Sequence, residues 1–262
     1  MHDSPSTTRP LAAIILAAGK GTRMEGDLPK VVHPVADAPM VKWVVDAVRD
    51  VGVQRIVLVI GYRADDVQAV FVGDDDLEYV TQHEQLGTGH AVDVCRDCLA
   101  DFDGDAFVLA GDGPLIRSDT LRTMEQVHRD HNAAATLATS NIEDPTGYGR
   151  IIRNAEGRFE AIIEHKNATE AQREIHEVYP SYALFDAKRL FTELETLEAD
   201  SVTGEIYLTE IPASLHRAGH QVEVVDAVPP EDVLSINTME QLAEVDAILR
   251  SRIASQVAET SQ

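Results

Sequence analysis

Residues 11–40 read LAAIILAAGKGTRMEGDLPKVVHPVADAPM, and this stretch decides the fold. An unbroken apolar run, Leu11 to Leu16, passes directly into Ala17-Ala18-Gly19-Lys20-Gly21-Thr22, then Arg23, an acidic turn and Pro29-Lys30. A strand buried on both faces reads as a short apolar run without alternation. Glycines just beyond it let the backbone curl close to a ligand that a β-carbon would fend off. Backbone N–H groups in such a loop form a concavity for anions, and Arg23 and Lys30 add fixed positive charge. The combination predicts a phosphate-handling loop, residues 16–22, on the first strand of an α/β sheet. Two familiar loops do not fit. A P-loop would need glycine at Ile14, and the dinucleotide fingerprint would need a small residue at Met24. Taken alone, Gly19 and Gly21 also suit an ordinary strand-to-helix turn.

Outward from this loop, strands and helices alternate. The spacing of apolar residues predicts helices over 40–51, 65–72, 88–99 and 118–131, the last opened by Ser118 as N-cap. Buried strands are predicted at 54–61, 78–81, 106–110 and 134–139. From Gly149 the texture changes: 149–153 and 159–164 form an antiparallel pair around a turn at 154–157. A strand at 178–185, helices at 187–197 and 205–218, a strand at 221–228 and a helix at 239–253 complete the chain. The expected architecture is a Rossmann-like, doubly wound, mostly parallel sheet with added antiparallel strands, one domain over 11–254. Ligands in such sheets sit beyond the carboxyl ends of the strands, where Gly19, Gly111 and Asp112 fall. Asp112 between two glycines is a candidate magnesium ligand, because Mg²⁺ takes one or two carboxylates plus substrate phosphates and water.

The 262 residues carry a formal charge of −23. That charge disfavours nucleic acid or an anionic membrane as partners and makes the few cations beside the loop valuable to an anionic substrate. Residues 1–10 are polar and read as a loose tail without the apolar core of a signal peptide. No run of eighteen apolar residues occurs, so a cytoplasmic location is expected. Cys95 and Cys98 are a lone C-x-x-C; a four-ligand zinc site would need a second pair, so both are read as structural. Nothing in the residues specifies an oligomeric state.

The longer string G-x-G-T-R-M, then Pro29-Lys30, then Pro39-Met40, resembles the signature of sugar-nucleotide pyrophosphorylases, and most closely the bacterial N-acetylglucosamine-1-phosphate uridyltransferases. Three further segments carry the likeness: Gln82 to Ala91 (QHEQLGTGHA), Asp144 to Ile151 (DPTGYGRI) and Ile163 to Thr169 (IEHKNAT). The resemblance spans about 11–250 and implies the nucleotide-diphospho-sugar transferase fold. It also implies a Mg²⁺-dependent attack by a sugar 1-phosphate on the α-phosphorus of UTP, giving UDP-sugar and pyrophosphate. Carried over residue by residue, it puts the uracil on Gln82, Gly87 and Thr88, the sugar on Gly149 and Glu164, and Mg²⁺ on Asp112 and Asn237. Arg23 would balance the departing pyrophosphate, and Lys30 would hold the α-phosphate or sugar phosphate. Two positions depart from the pattern: Ala110 stands where a tyrosine is common. Tyr179-Pro180-Ser181 stands for Asn-Thr-Gly, so Tyr179 replaces an asparagine that touches the sugar nucleotide. No hexapeptide repeat appears, so the β-helix with which bifunctional members acetylate glucosamine phosphate is not expected. The alternatives are a pyrophosphorylase for another hexose or NTP, a non-catalytic sugar-nucleotide sensor, and a nicotinamide oxidoreductase, which lacks its third glycine.

Overall fold

The computed structural model describes residues 9–21, 24, 27–201 and 203–260. Strand β1 (Leu11–Leu16) lies mid-sheet. Its residues alternate between two cores, Ala12 and Ile14 on one side, Leu11, Ala13 and Ile15 on the other. That two-sided burial is why the run shows no alternation. Burying Ile14 and Ile15 contributes about 1.5–3 kcal/mol each.

In chain order the elements are β1, the hairpin β2 (Pro34–Val35) and β3 (Ala38–Pro39), α1 (Met40–Asp50), β4 (Arg55–Ile60), α2 (Ala64–Ala69), β5 (Leu77–Thr81), α3 (Thr88–Asp93), β6 (Asp105–Ala110), α4 (Ser118–Asp130) and β7 (Ala135–Asn141). Then follow β8 (Gly149–Arg153), β9 (Phe159–Ile163), α5 (Glu170–Arg173), β10 (Glu177–Asp186), α6 (Ala187–Leu194), α7 (Glu210–Arg217), β11 (Val222–Asp226) and α8 (Met239–Thr260). The sheet order is β11-β7-β10-β6-β1-β4-β5. All neighbours on this path are parallel except β10, which runs antiparallel to both β6 and β7. Helices α1, α2 and α4 supply one core, and α3, α6 and α7 the other. The fold is the expected one.

Several boundaries differ for physical reasons. Strand β10 is interrupted between Val178 and Tyr182. Pro180 has no N–H for the ladder, and Ser181 sits at φ 69°, the left-handed region favoured by glycine. Val178, still paired with Ser140 of β7, also pairs with β8, as does Tyr179, and this deviation carries the β8–β9 hairpin off the main sheet. Helix α3 ends at Asp93, with turns continuing to 101, so the expected 88–99 helix is halved. The helix expected from 205 begins at Glu210. The Asp200 carboxylate accepts from Thr203 N and Oγ1 (2.8 and 3.0 Å), and Gly204 takes φ 72°. Ser118 is the first residue of α4, not its N-cap; the N-cap is Arg117, and the serine hydroxyl bonds to Asp50. Arg9 and Pro10, assigned to a loose tail, are held: Arg9 pairs with Asp105 (3.1 Å) and Asp186 (3.0 Å), and Pro10 O accepts from Asp105 N.

The hairpin β2–β3 has no counterpart among the elements expected from the sequence. Its turn residues Ala36 and Asp37 both have positive φ, 47° and 70°, as a type I′ turn requires. It is pinned from α8, where Asp246 accepts from Ala36 N (2.7 Å) and Arg250 meets Asp37 (2.7 Å). Among the described residues no helix is long and apolar enough to cross a membrane.

Candidate active site

At the carboxyl ends of β1 and β6 the chain leaves a cavity of about 400 Å³. A chamber of about 300 Å³ adjoins it through shared walls at Gly19, Gly21, Lys30 and Gln85. Of the loop residues 16–22, Leu16, Ala18, Gly19 and Gly21 line this cleft. Ala17 does not: it is buried, and its N–H donates to Val59 O (2.8 Å). Thr22 and Arg23 lie outside the described residues. The two glycine contacts are steric necessities. Gly21 has φ 67°, and a Cβ there would meet Lys30 Cβ at 2.5 Å; a Cβ on Gly111 would meet Leu16 O at 2.9 Å. Gly111 therefore lets the end of β6 close on β1, with its N–H donating to Leu16 O (2.9 Å).

The chemical floor of the cleft is built from three distant segments. Lys30, on a 3-10 turn Lys30–Val32, donates from Nζ to Asn237 Oδ1 (2.9 Å) and to the Asp112 carboxylate. These partners lie 82 and 207 residues away in sequence. Asp112 and Asn237 thus aim oxygens at a common point, both half-buried beside the cavity. Asn237 is held by its own backbone N–H, which donates to Gln241 Oε1 (2.7 Å), and by Nδ2 to Ser235 Oγ (3.1 Å). Thr238 caps the last helix, its Oγ1 accepting from Gln241 N (3.2 Å). The donor set is oxygen-only, one carboxylate and one amide, and suits a hard cation that keeps water and phosphate ligands. Among the described residues no group of three or more His, Cys, Asp or Glu converges.

The wall expected to face the base is ordered by hydrogen bonds within the chain. Gln82, just beyond β5, is 6% exposed. Its N–H donates to Ile60 O (2.8 Å), and its side-chain Nε2 contacts Gly87 O and His90 Nδ1, both at 3.2 Å. Gly87 takes φ 98° and ψ 177°, essentially reserved for glycine. Thr88 opens α3, and its Oγ1 accepts from Leu208 N (3.0 Å). Its hydroxyl is therefore tied to the 205–208 segment, which also joins Leu86 and Gly89 through Ile206 N and O (2.8 and 2.7 Å).

The residues expected around the sugar do not line this cavity. Gly149 lies on β8, where a Cβ would meet Ile162 Cγ2 at 2.9 Å. Glu164 is half-buried at the start of the 3-10 turn His165–Asn167. Tyr179 is buried in the core it shares with Ile151 and Ile162. Burial chiefly, and then the Glu164 charge, raise its phenol above the ordinary value. Ala110 does line the cavity, so the two departures from the family pattern do not share one wall and cannot compensate in volume.

Gln85, Val31, Ala91, Glu205 and Tyr207 complete the lining. Gln85, which also donates to Ala18 O (2.8 Å), stands in the matched Gln82–Ala91 string and could have been found. Tyr207 could not, because it arrives from a segment read as helix. It links toward the β9 end, where Lys166 Nζ donates to its hydroxyl (3.0 Å) and lies 4.8 Å from its ring centroid. The two thiols are apart from the cleft. Cys95 is fully buried, and Cys98 meets Glu78 Oε2 at 3.2 Å. Burial and that carboxylate push the Cys98 thiol up to about 11.

Residues 13–214 match the model of the MobA-like NTP transferase domain. The chain is 44% identical over 243 residues to the bifunctional protein GlmU of Geobacter metallireducens, covering 93% of this chain and 51% of that protein. It is 42% identical to GlmU of Brevibacillus brevis, covering 92% and 52%. The chain thus spans about half the length of these relatives. A crystal structure from Bacillus anthracis, described as a glucose-1-phosphate thymidylyltransferase in complex with sucrose, shares the fold at TM-score 0.75 and 22% identity, covering 92% of this chain and 95% of that one.

Proposed function

The chain belongs to the MobA-like NTP transferase domain family, and from that premise we propose that it transfers a uridylyl group from UTP to a sugar 1-phosphate, N-acetylglucosamine 1-phosphate first among the acceptors. A phosphate oxygen of the sugar 1-phosphate attacks the α-phosphorus, the bond to the β-phosphate oxygen breaks, and pyrophosphate leaves. The nucleophile is already an anion, so no general base is required. The obstacle is repulsion between converging phosphates in a protein of charge −23, so positioning and charge neutralisation carry the rate.

The observation that carries this reading is the convergence of Lys30, Asp112 and Asn237 at the floor of the cleft. Asp112 and Asn237 would hold Mg²⁺, which when bound supplies charge stabilisation to the phosphates. Lys30 stands where it can turn its ammonium from these oxygens to a phosphate oxygen. Arg23, in the same loop sequence, is assigned to the pyrophosphate. Gln82 has its Nε2 engaged with Gly87 and His90, so its carbonyl is the atom suited to accept from a uracil N–H. Gly87 shapes the ledge for the ring, and Thr88 fixes that ledge through Leu208. Gly149 and Glu164 are assigned to the sugar from outside this cavity, next to the Lys166–Tyr207 contact, and the buried Tyr179 backs Gly149 through the β10–β8 pairing. A cytoplasmic location fits the substrates.

The test is pyrophosphate release across UTP, dTTP and CTP with several sugar 1-phosphates. UTP with N-acetylglucosamine 1-phosphate should turn over. With only Ala110 of the two altered positions facing the cavity, discrimination against glucose 1-phosphate in kcat/KM should stay below about a hundredfold, or roughly 2.7 kcal/mol. Activity confined to another NTP would replace the uridylyl assignment.

A further inference from the structure

Behind the Asp112 loop lies a buried carboxylate for which nucleotidyl transfer has no direct use. Asp232, on the 3-10 turn Pro230–Val233, is 1% exposed. A lone carboxylate there would be strongly unfavourable, and two guanidinium groups compensate it. Arg117 reaches it through Nε and through Nη2 (3.2 Å to Oδ1), and Arg252 from α8 through Nη2. Arg252 has a second grip, because its Nη1 donates to Leu115 O (2.9 Å).

The sequence positions give this clamp its meaning. Leu115 stands three residues after Asp112, and Asp232 five before Asn237. One planar guanidinium therefore ties the segment bearing one oxygen donor to the segment bearing the other. Tyr182 of β10 supports the same junction from the sheet. Its hydroxyl lies 3.2 Å from where a Cβ on Gly113 would stand. It also sits within the electrostatic reach of both Asp232 and Asp112. Metal ligation by two loops depends on their separation to a few tenths of an ångström, so whatever fixes the loops governs affinity.

We propose that Asp232 and Arg252 are positioning residues that set the separation of Asp112 and Asn237, and with it the coupling between divalent cation and nucleotide, without touching substrate. This rests on the nucleotidyl-transfer reading above. The structural alternative is that the clamp merely anchors α8.

The two are separated by calorimetric UTP affinity measured in EDTA and in saturating Mn²⁺, alongside the melting temperature. In the parent, Mn²⁺ should tighten UTP binding. Arg252→Gln should cut that tightening at least tenfold while leaving the EDTA affinity within twofold. Arg252→Lys still places a charge near Asp232 but has no fork to hold Leu115 O as well, so it should melt near the parent yet lose the coupling. Arg250→Gln, on the same helix but paired with Asp37 and Asp246, should keep the coupling even if it lowers the melting temperature. Parental coupling in either Arg252 variant, or its loss in Arg250→Gln, overturns the proposal. A parent whose UTP affinity ignores Mn²⁺ overturns the metal reading beneath it.

Discussion

Gly87 offers a quantitative test of how the cleft is assembled. Its backbone conformation, φ 98° and ψ 177°, costs a side-chain-bearing residue about 1–3 kcal/mol. An added Cβ would also stand 2.5 Å from Ile206 O and 2.9 Å from Ile206 N. These are backbone atoms and cannot swing aside as a side chain would. Ile206 N→Leu86 O (2.8 Å) and Gly89 N→Ile206 O (2.7 Å) would have to open, at about 1 kcal/mol each. Gly87→Ala should therefore lower the unfolding free energy by roughly 3–5 kcal/mol in urea titration. As the 205–208 segment is displaced from the cavity rim, UTP affinity should fall at least tenfold. Gly73→Ala is the matched control, because Gly73 has φ 97° but open space around its Cβ position, leaving only backbone strain of about 1–2 kcal/mol. Equal losses for the two variants, with parental UTP affinity in Gly87→Ala, would refute the contact argument.

Other expectations follow from single features. Asp112→Ala should abolish Mg²⁺-dependent turnover while moving the melting temperature by only a few degrees, since the carboxylate is half-buried at a loop; comparable losses of both would make it structural. Lys30→Ala should likewise depress kcat far more than stability, and parental kcat would remove Lys30 from the phosphate chemistry. Gln82→Met removes the carbonyl assigned to the uracil N–H, so preference for UTP over CTP should weaken by about 1–3 kcal/mol; an unchanged ratio in an active variant would move base recognition elsewhere. Cys98, pushed up to about 11 from the reference 9.0, should alkylate at pH 8 about a hundredfold more slowly than a free thiol. Labelling at the rate of free cysteine would contradict the reading of this thiol as structural.

Much of the fold was legible because local and global signals agree. Strand β1 reads as a buried strand because Ile14 and Ile15 face opposite cores, and the β8–β9 pair because a turn at 154–157 separates two short apolar runs. Where tertiary contacts overrule local preference, the reading failed. The 205–209 segment was expected to open a helix, yet bonds to Thr88, Leu86 and Gly89 tie it to the cavity rim and the helix starts only at Glu210. Pro180 and Ser181 mark a break in β10 whose register consequence depends on β8 being present. In the site, the loop glycines could be read from chemistry, but the meeting of Lys30 with Asp112 and Asn237 could not. Contacts across 82 and 207 residues leave no periodic trace, and the family resemblance was what pointed to them. Tyr207 and the Asp232–Arg252 clamp carried no signal at all.

The cleft floor is proposed as a cation-dependent site of nucleotidyl transfer. The most direct test is release of pyrophosphate from UTP by the purified chain, with N-acetylglucosamine 1-phosphate and Mg²⁺ each present or omitted, and Asp112→Ala run in parallel. Release should require both additions and disappear in the variant. Release that persists without Mg²⁺, or in Asp112→Ala at a rate within about tenfold of the parent (roughly 1.4 kcal/mol), would contradict it.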